Sequence, residues 1–148
     1  MWLLARDFAP RQWRAPQWRG HVAQALSVGY AWLLVAGLLG LTGALPDAGV
    51  QSLDGTALHA LLLGFVFAMV FGHAPIMLPA LAGITPGYVP WARAAVWLLA
   101  ASLLLRIGAT HAGWPMGRAL AGAGHAAALA LFAAAMFTGI ARRAQRGV

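Results

Sequence analysis

Thr56-Ala57-Leu58-His59-Ala60-Leu61-Leu62-Leu63-Gly64-Phe65-Val66-Phe67-Ala68-Met69-Val70-Phe71-Gly72-His73-Ala74-Pro75-Ile76-Met77-Leu78-Pro79-Ala80-Leu81 decides how this chain folds. The stretch exceeds the roughly 20 apolar residues that cross a bilayer as a helix and carries no acid, lysine or arginine. It predicts a transmembrane helix over residues 56–82. Pro75 and Pro79 remove backbone donors from its last third and bend it. Gly83-Ile84-Thr85-Pro86-Gly87 ends it. Similar apolar runs lie on both sides and predict spans at 22–43, 91–108 and 117–141. Turn-forming Pro46–Gly55, with Asp47 and Asp54, separates the first two spans, and a loop over Ala109–Met116 separates the last two.

Composition agrees with that pattern. Of the 148 residues, 61% are apolar and 9% charged, too few charges to cover a soluble domain of this size. The expected fold is all-α: an integral membrane four-helix bundle forming a single membrane domain over residues 1–148. There is no cysteine, which excludes disulfides, thiolate metal sites and thioether-attached haem. No glycine-rich phosphate loop, carboxylate pair or cysteine nucleophile suggests a soluble enzyme. With no acid inside a predicted span, proton-coupled transport by the chain alone is not expected.

The formal net charge is +7, and all ten basic residues are arginine. Arg6, Arg11, Arg14 and Arg19 precede the first span, and Arg142, Arg143 and Arg146 follow the last. Anionic lipid is the expected counter-charge, and nucleic acid is not an expected partner. Residues 1–21, where Trp2, Trp13 and Trp18 alternate with those arginines, read as a basic, Trp-rich interfacial arm retained in the mature protein. Positive charge marks the cytoplasmic side, so both termini are expected there, in a bacterial-type inner membrane.

Five histidines hold most of the chemical potential: His21, His59, His73, His111 and His125. At about 100° per residue, His59 and His73 fall about 40° apart and share a face with Leu63, Val66, Val70 and Met77. Gly64, Ala68 and Gly72 form a small-residue packing stripe roughly opposite. His111 and His125 repeat the fourteen-residue interval, an arrangement resembling the bis-histidine helices of the cytochrome b family. Counting about 1.5 Å per residue from the outer end places His59 about 5 Å, His125 about 12 Å and His73 about 25 Å deep. The open pairings are His59 with His125 or His111, and His73 with His125 or His21. Arg118 and Arg106 are candidate clamps for haem propionates, because guanidinium groups bind carboxylates bidentately. His59, His73 and His125 are the candidate metal ligands. For His21 and His111, near the interface, a hydrogen bond to a backbone carbonyl or headgroup is the leading expectation.

The segments His21-Val22-Ala23-Gln24-Ala25-Leu26-Ser27-Val28-Gly29-Tyr30-Ala31-Trp32, Leu58-His59-Ala60-Leu61 and Leu104-Leu105-Arg106-Ile107 resemble the membrane region of the NnrS family. The resemblance covers most of residues 21–108. It implies a haem- and copper-containing membrane protein linked to nitric oxide and denitrification, and it singles out His59. Gly64-Phe65-Val66-Phe67-Ala68-Met69-Val70-Phe71-Gly72, leading to Leu78-Pro79, is also similar to the second helix of haem–copper oxidase catalytic subunits. In those proteins a histidine near that helix start ligates low-spin haem. The adjacent histidine pair of the oxidases' copper site has no counterpart here.

The expected function is therefore a small membrane haem-binding protein or subunit, with haem b or copper, acting in electron transfer or nitric oxide handling. An enzyme acting by itself is not expected. The alternative is a cofactor-free structural or assembly subunit packed against other membrane subunits or a second copy of itself.

Overall fold

Uninterrupted runs of leucine, alanine and valine, broken only at glycine and proline clusters, produce four helices in the computed structural model, which describes residues 12–43, 55–83 and 87–144. Helix α1 spans Gln17–Gly43. Helix α2, over residues 55–81, starts as Gly55–His59, widens to π geometry over Ala60–Val66 and continues as Phe67–Leu81. Helices α3 and α4 span Ala92–His111 and Pro115–Ala144. No strand occurs among the described residues. Each helix is long and apolar enough to cross a membrane; the shortest, α3, has 20 residues, about 30 Å of rise. Residues 1–11 of the arm, the loop with Asp47 and Asp54, and Arg146 lie outside the described residues, as does the Arg143 side chain.

Two boundaries differ from expectation. The loop expected over Ala109–Met116 contracts to Ala112-Gly113-Trp114. Gly113 takes φ +60°, the Trp114 N–H donates to the Ala109 carbonyl at 2.8 Å, and the Gly113 N–H donates to that of Thr110 at 3.2 Å. This left-handed glycine cap satisfies the last carbonyls of α3, and Pro115 opens α4 at a position where its missing N–H costs nothing. His111 thus closes α3. At the other end of the chain, α1 begins five residues before the expected 22, drawing His21 from the arm into the helix.

The helices pair as α1 with α2 and α3 with α4, and α3 also touches both members of the first pair. Between α1 and α2 the small-residue stripe does the work expected of it. Gly64 lies under the indole of Trp32, and a Cβ there would fall 2.6 Å from that ring. Gly72 faces Ala25 and Leu26. On α4, Ala121, His125, Ala128, Phe132, Ala135 and Gly139 are all buried, spaced alternately four and three, the seam of a left-handed helix pair. Alanine and glycine at most of these positions let α4 approach α3 closely, as where Gly124 meets the Ser102 side chain.

Gly87, in the α2–α3 connection, meets Gly139 backbone to backbone. Arg93 donates to the carbonyls of Ala15 at 2.9 Å and Gln17 at 3.1 Å, strapping the end of the arm to α3. Gln24 bridges the same region, donating to the Trp13 carbonyl and accepting from the Trp97 indole.

Candidate functional site

His59 occupies the last residue before the π segment of α2, and His125 sits in the buried seam of α4. Their rings face each other with centroids 6.3 Å apart and planes inclined by 36°. His125 is 6% exposed, and its buried Nε2 has no hydrogen-bond partner. Arg106, from α3, lies close enough for its charge to act on His125. The depths reckoned from the helix ends differ by about 7 Å, yet the two rings meet.

The separation has a chemical reading. An imidazole nitrogen binds a transition metal at about 2.0–2.1 Å, so two rings on opposite sides of one ion have centroids about 6 Å apart. Among the described residues no group of three or more histidines or carboxylates surrounds a common point. The pair therefore suits a centre that would need only two protein ligands, of the haem-iron or copper kind. The orphaned Nε2 of His125 supports that reading, since a buried polar atom without a partner is rare. The π segment beside His59 points the same way, because such segments recur at functional sites.

The other candidates go elsewhere. His73 does not share a face with His59. It is exposed, and its Nδ1–H donates to the Met69 carbonyl of its own helix at 2.8 Å. The cause is the π segment, in which the Phe67 N–H reaches back five residues to Leu62. Such a helix turns by only about 80° per residue, and over seven residues the lag exceeds roughly 100°. The face expected to run from His59 through Val66, Val70 and Met77 is thereby split, and its later members point outward. His111 is exposed at the end of α3, and Arg118 is exposed on the first turns of α4.

His21 is completely buried. Its Nε2–H donates to the Phe71 carbonyl at 2.8 Å, and its ring stacks on Phe132, which in turn stacks on Phe71 at 4.1 Å. In an unbroken helix the Phe71 carbonyl would accept from residue 75, but Pro75 has no N–H. His21 supplies the missing donor from α1, the backbone role expected for it, though in the core rather than at the interface. Its Nδ1 and the nearby Trp18 Nε1 are buried without partners. The sequence carries a clue to this core role: a proline four residues after Phe71 announces an orphaned carbonyl.

The histidine pair and the phenylalanine stack together join the two helix pairs across the bundle. The crevice between Val28, Trp32, Gly64, Ala68 and Leu103 is wholly apolar and too tight for water, so it offers no second site. Comparison with curated proteins and with solved structures returned no match. A family profile matches residues 1–141, and the chain belongs to the family described as the domain of unknown function DUF8744.

Proposed function

We propose that this chain is a multi-pass protein of a bacterial-type inner membrane, both termini cytoplasmic, that holds one metal centre between His59 and His125 and acts in electron transfer or nitric oxide handling. The observation that carries the reading is the 6.3 Å approach of two imidazoles from different helices, one with a buried, unpartnered nitrogen. Haem b is the preferred group: His59 and His125 would be its two protein ligands, and a haem needs no more than two. It would supply one-electron chemistry and a site for a diatomic ligand. The chain's own part is to hold the two rings, to keep the site dry, and to place the Arg106 charge nearby as a partner for a propionate. Copper bound directly by the two rings is the variant of this reading that needs least space.

The orientation rests on the sequence positions of the arginines, four at or before the start of α1 and three at or after the end of α4, with the positive charge assigned to the cytoplasmic side. The experiment is an absorption spectrum and metal analysis of detergent-purified protein from haem-replete cells. A Soret band lost in both His59→Ala and His125→Ala is the expected result. A colourless, metal-free preparation sinks the proposal.

The second reading, a cofactor-free structural or assembly subunit, has its own observation. His21 and His73 each commit one ring nitrogen to a backbone carbonyl, the use expected of histidines that stabilise a proline-kinked helix. Under this reading His59→Ala and His125→Ala change assembly with partner subunits and leave any spectrum untouched.

A further inference from the structure

Around the start of α1, three buried polar atoms have no hydrogen-bond partner among the described residues: Trp18 Nε1, His21 Nδ1 and Arg93 Nε. They belong to one side-chain cluster. Trp18 meets His21 edge to face with ring centroids 5.2 Å apart, and meets Tyr88 in the same way at 5.3 Å. The Arg93 guanidinium lies over the Tyr88 ring, 5.7 Å from its centre, and close enough for its charge to act on His21. Gly20 keeps the place clear, because a Cβ there would fall against Arg93 Nη2 and the Ala15 carbonyl.

Buried polar atoms without partners are rare, and three in one cluster point to a ligand that supplies them. Trp18 Nε1–H and Arg93 Nε–H are donors, so the ligand accepts at two points. The His21 Nε2–H is committed to the Phe71 carbonyl. Nδ1 is therefore left to accept from a hydroxyl or, on the doubly protonated ring, to donate a third bond.

An ordered water could meet these hydrogen bonds, but it leaves the charge unbalanced. Arg93 Nη2 donates to two neutral carbonyls, and the three acids of the chain, Asp7, Asp47 and Asp54, all lie outside the described residues. Arg14 and Arg19 flank Trp18 in the sequence and are exposed. Arg142 follows by about one turn the Gly139 that meets Gly87, the neighbour of Tyr88. An oxyanion satisfies the donors and balances the guanidinium at once, through bonds of the stronger, charge-assisted kind. His21 lies about 6 Å along α1 from its first residue, Gln17. When α1 crosses a bilayer, the reading on which this step rests, that level is the headgroup layer, where phosphate is the oxyanion at hand.

We propose that Trp18, His21 and Arg93 form a binding site for one phosphate group at the start of α1, carried by a phospholipid headgroup or present as free phosphate. Trp18 and Arg93 donate to its oxygens, and His21 Nδ1 meets it from the core side. The site uses neither His59 nor His125.

The test follows the full-length protein, stripped of lipid by detergent exchange, by native mass spectrometry. Dioctanoyl-phosphatidylglycerol, dioctanoylglycerol and inorganic phosphate are titrated separately. One saturable adduct per chain is expected with the phospholipid and none with dioctanoylglycerol, which has the same tails and no phosphate. A saturable adduct with inorganic phosphate that competes with the phospholipid supports the site and makes free phosphate a source; its absence supports the lipid alone. Trp18→Phe keeps the ring beside His21 and Tyr88 but removes the N–H, and is expected to weaken binding about tenfold or more. Trp13→Phe, whose ring rests on Trp97 in the same arm, is expected to bind as the native chain does. Equal binding by native and Trp18→Phe protein, or equal binding of dioctanoylglycerol, overturns the site. Failure of both phosphate-bearing probes leaves water as the occupant and overturns it too. Recovery of the chain outside the membrane fraction refutes the membrane reading instead. Metal content and any absorption band of the His59–His125 centre are read separately and persist in Trp18→Phe.

Discussion

The His21 ring gives its Nε2 proton to the Phe71 carbonyl, the one that Pro75 leaves without a donor. The bond links α1 to α2 at the level where Phe71 and Phe132 stack, so one side chain repairs a helix and positions an interhelical contact. Removing it by His21→Ala leaves a buried carbonyl unsatisfied and is expected to cost about 1–3 kcal/mol. Pro75→Ala restores the helical donor, so His21→Ala should cost markedly less in that background. Unfolding of the four variants in detergent gives the coupling energy, and additive effects would refute the repair.

Gly64 has no room for a side chain beneath Trp32. Gly64→Val is expected to separate α1 from α2 and to destabilise the fold by about 1–3 kcal/mol or more, as overpacking does. Gly108, on α3, faces open space, and a Cβ added there would meet nothing within 4 Å. Gly108→Ala should leave stability unchanged or raise it by about 0.5–1 kcal/mol, the usual gain in a helix interior. Thermal melts in detergent would show the opposite signs.

Under the metal-centre proposal, His59→Ala and His125→Ala each abolish the bound group, because the group would need both imidazoles. His111→Ala and Arg118→Ala, both at exposed positions, leave it in place. Titration of haem or copper into the purified variants, monitored by absorbance, checks this ordering. Retention in His125→Ala with loss in His111→Ala would move the site to the end of α3.

Arg93 holds the arm through the carbonyls of Ala15 and Gln17. Arg93→Ala should free it, removing two charge-assisted bonds of about 1.5–3 kcal/mol each at most. Brief trypsin treatment in detergent is the assay: cleavage after Arg14 and Arg19 becomes faster in the variant while α3 and α4 stay intact. Unchanged cleavage would mean that Gln24 and Trp97 hold the arm unaided.

Much of the architecture is legible in the sequence because hydropathy and breakers act locally. Four apolar runs become four helices, and Gly64, Ala68 and Gly72 announce a close helix contact. The short α3–α4 turn is harder to read, since Gly113 and Pro115 suggest a loop, whereas here the glycine caps one helix and the proline starts the next. The histidines are legible as residues, and the pairing of His59 with His125 is one of four that the sequence leaves open, which counting from span ends does not single out. His73 falls on a different face from the expected one because the regular turn angle fails in α2 between Ala60 and Val66. For His21 the kind of bond is readable from the sequence, but its depth depends on where α1 begins.

That irregular stretch of α2 has a further consequence. In effect it accommodates one residue more than a regular helix would, so it sets the rotational phase of everything downstream. Deleting a single residue such as Leu62 would return the segment to the ordinary pitch and swing the Phe67–Leu81 portion through about 100°. His73 would rotate toward the side that His59 now faces, and Phe71 would leave the carbonyl contact with His21. Which histidine looks inward is thus governed by chain length in one short segment, and an insertion or deletion there would change which imidazole faces the bundle interior without altering any histidine.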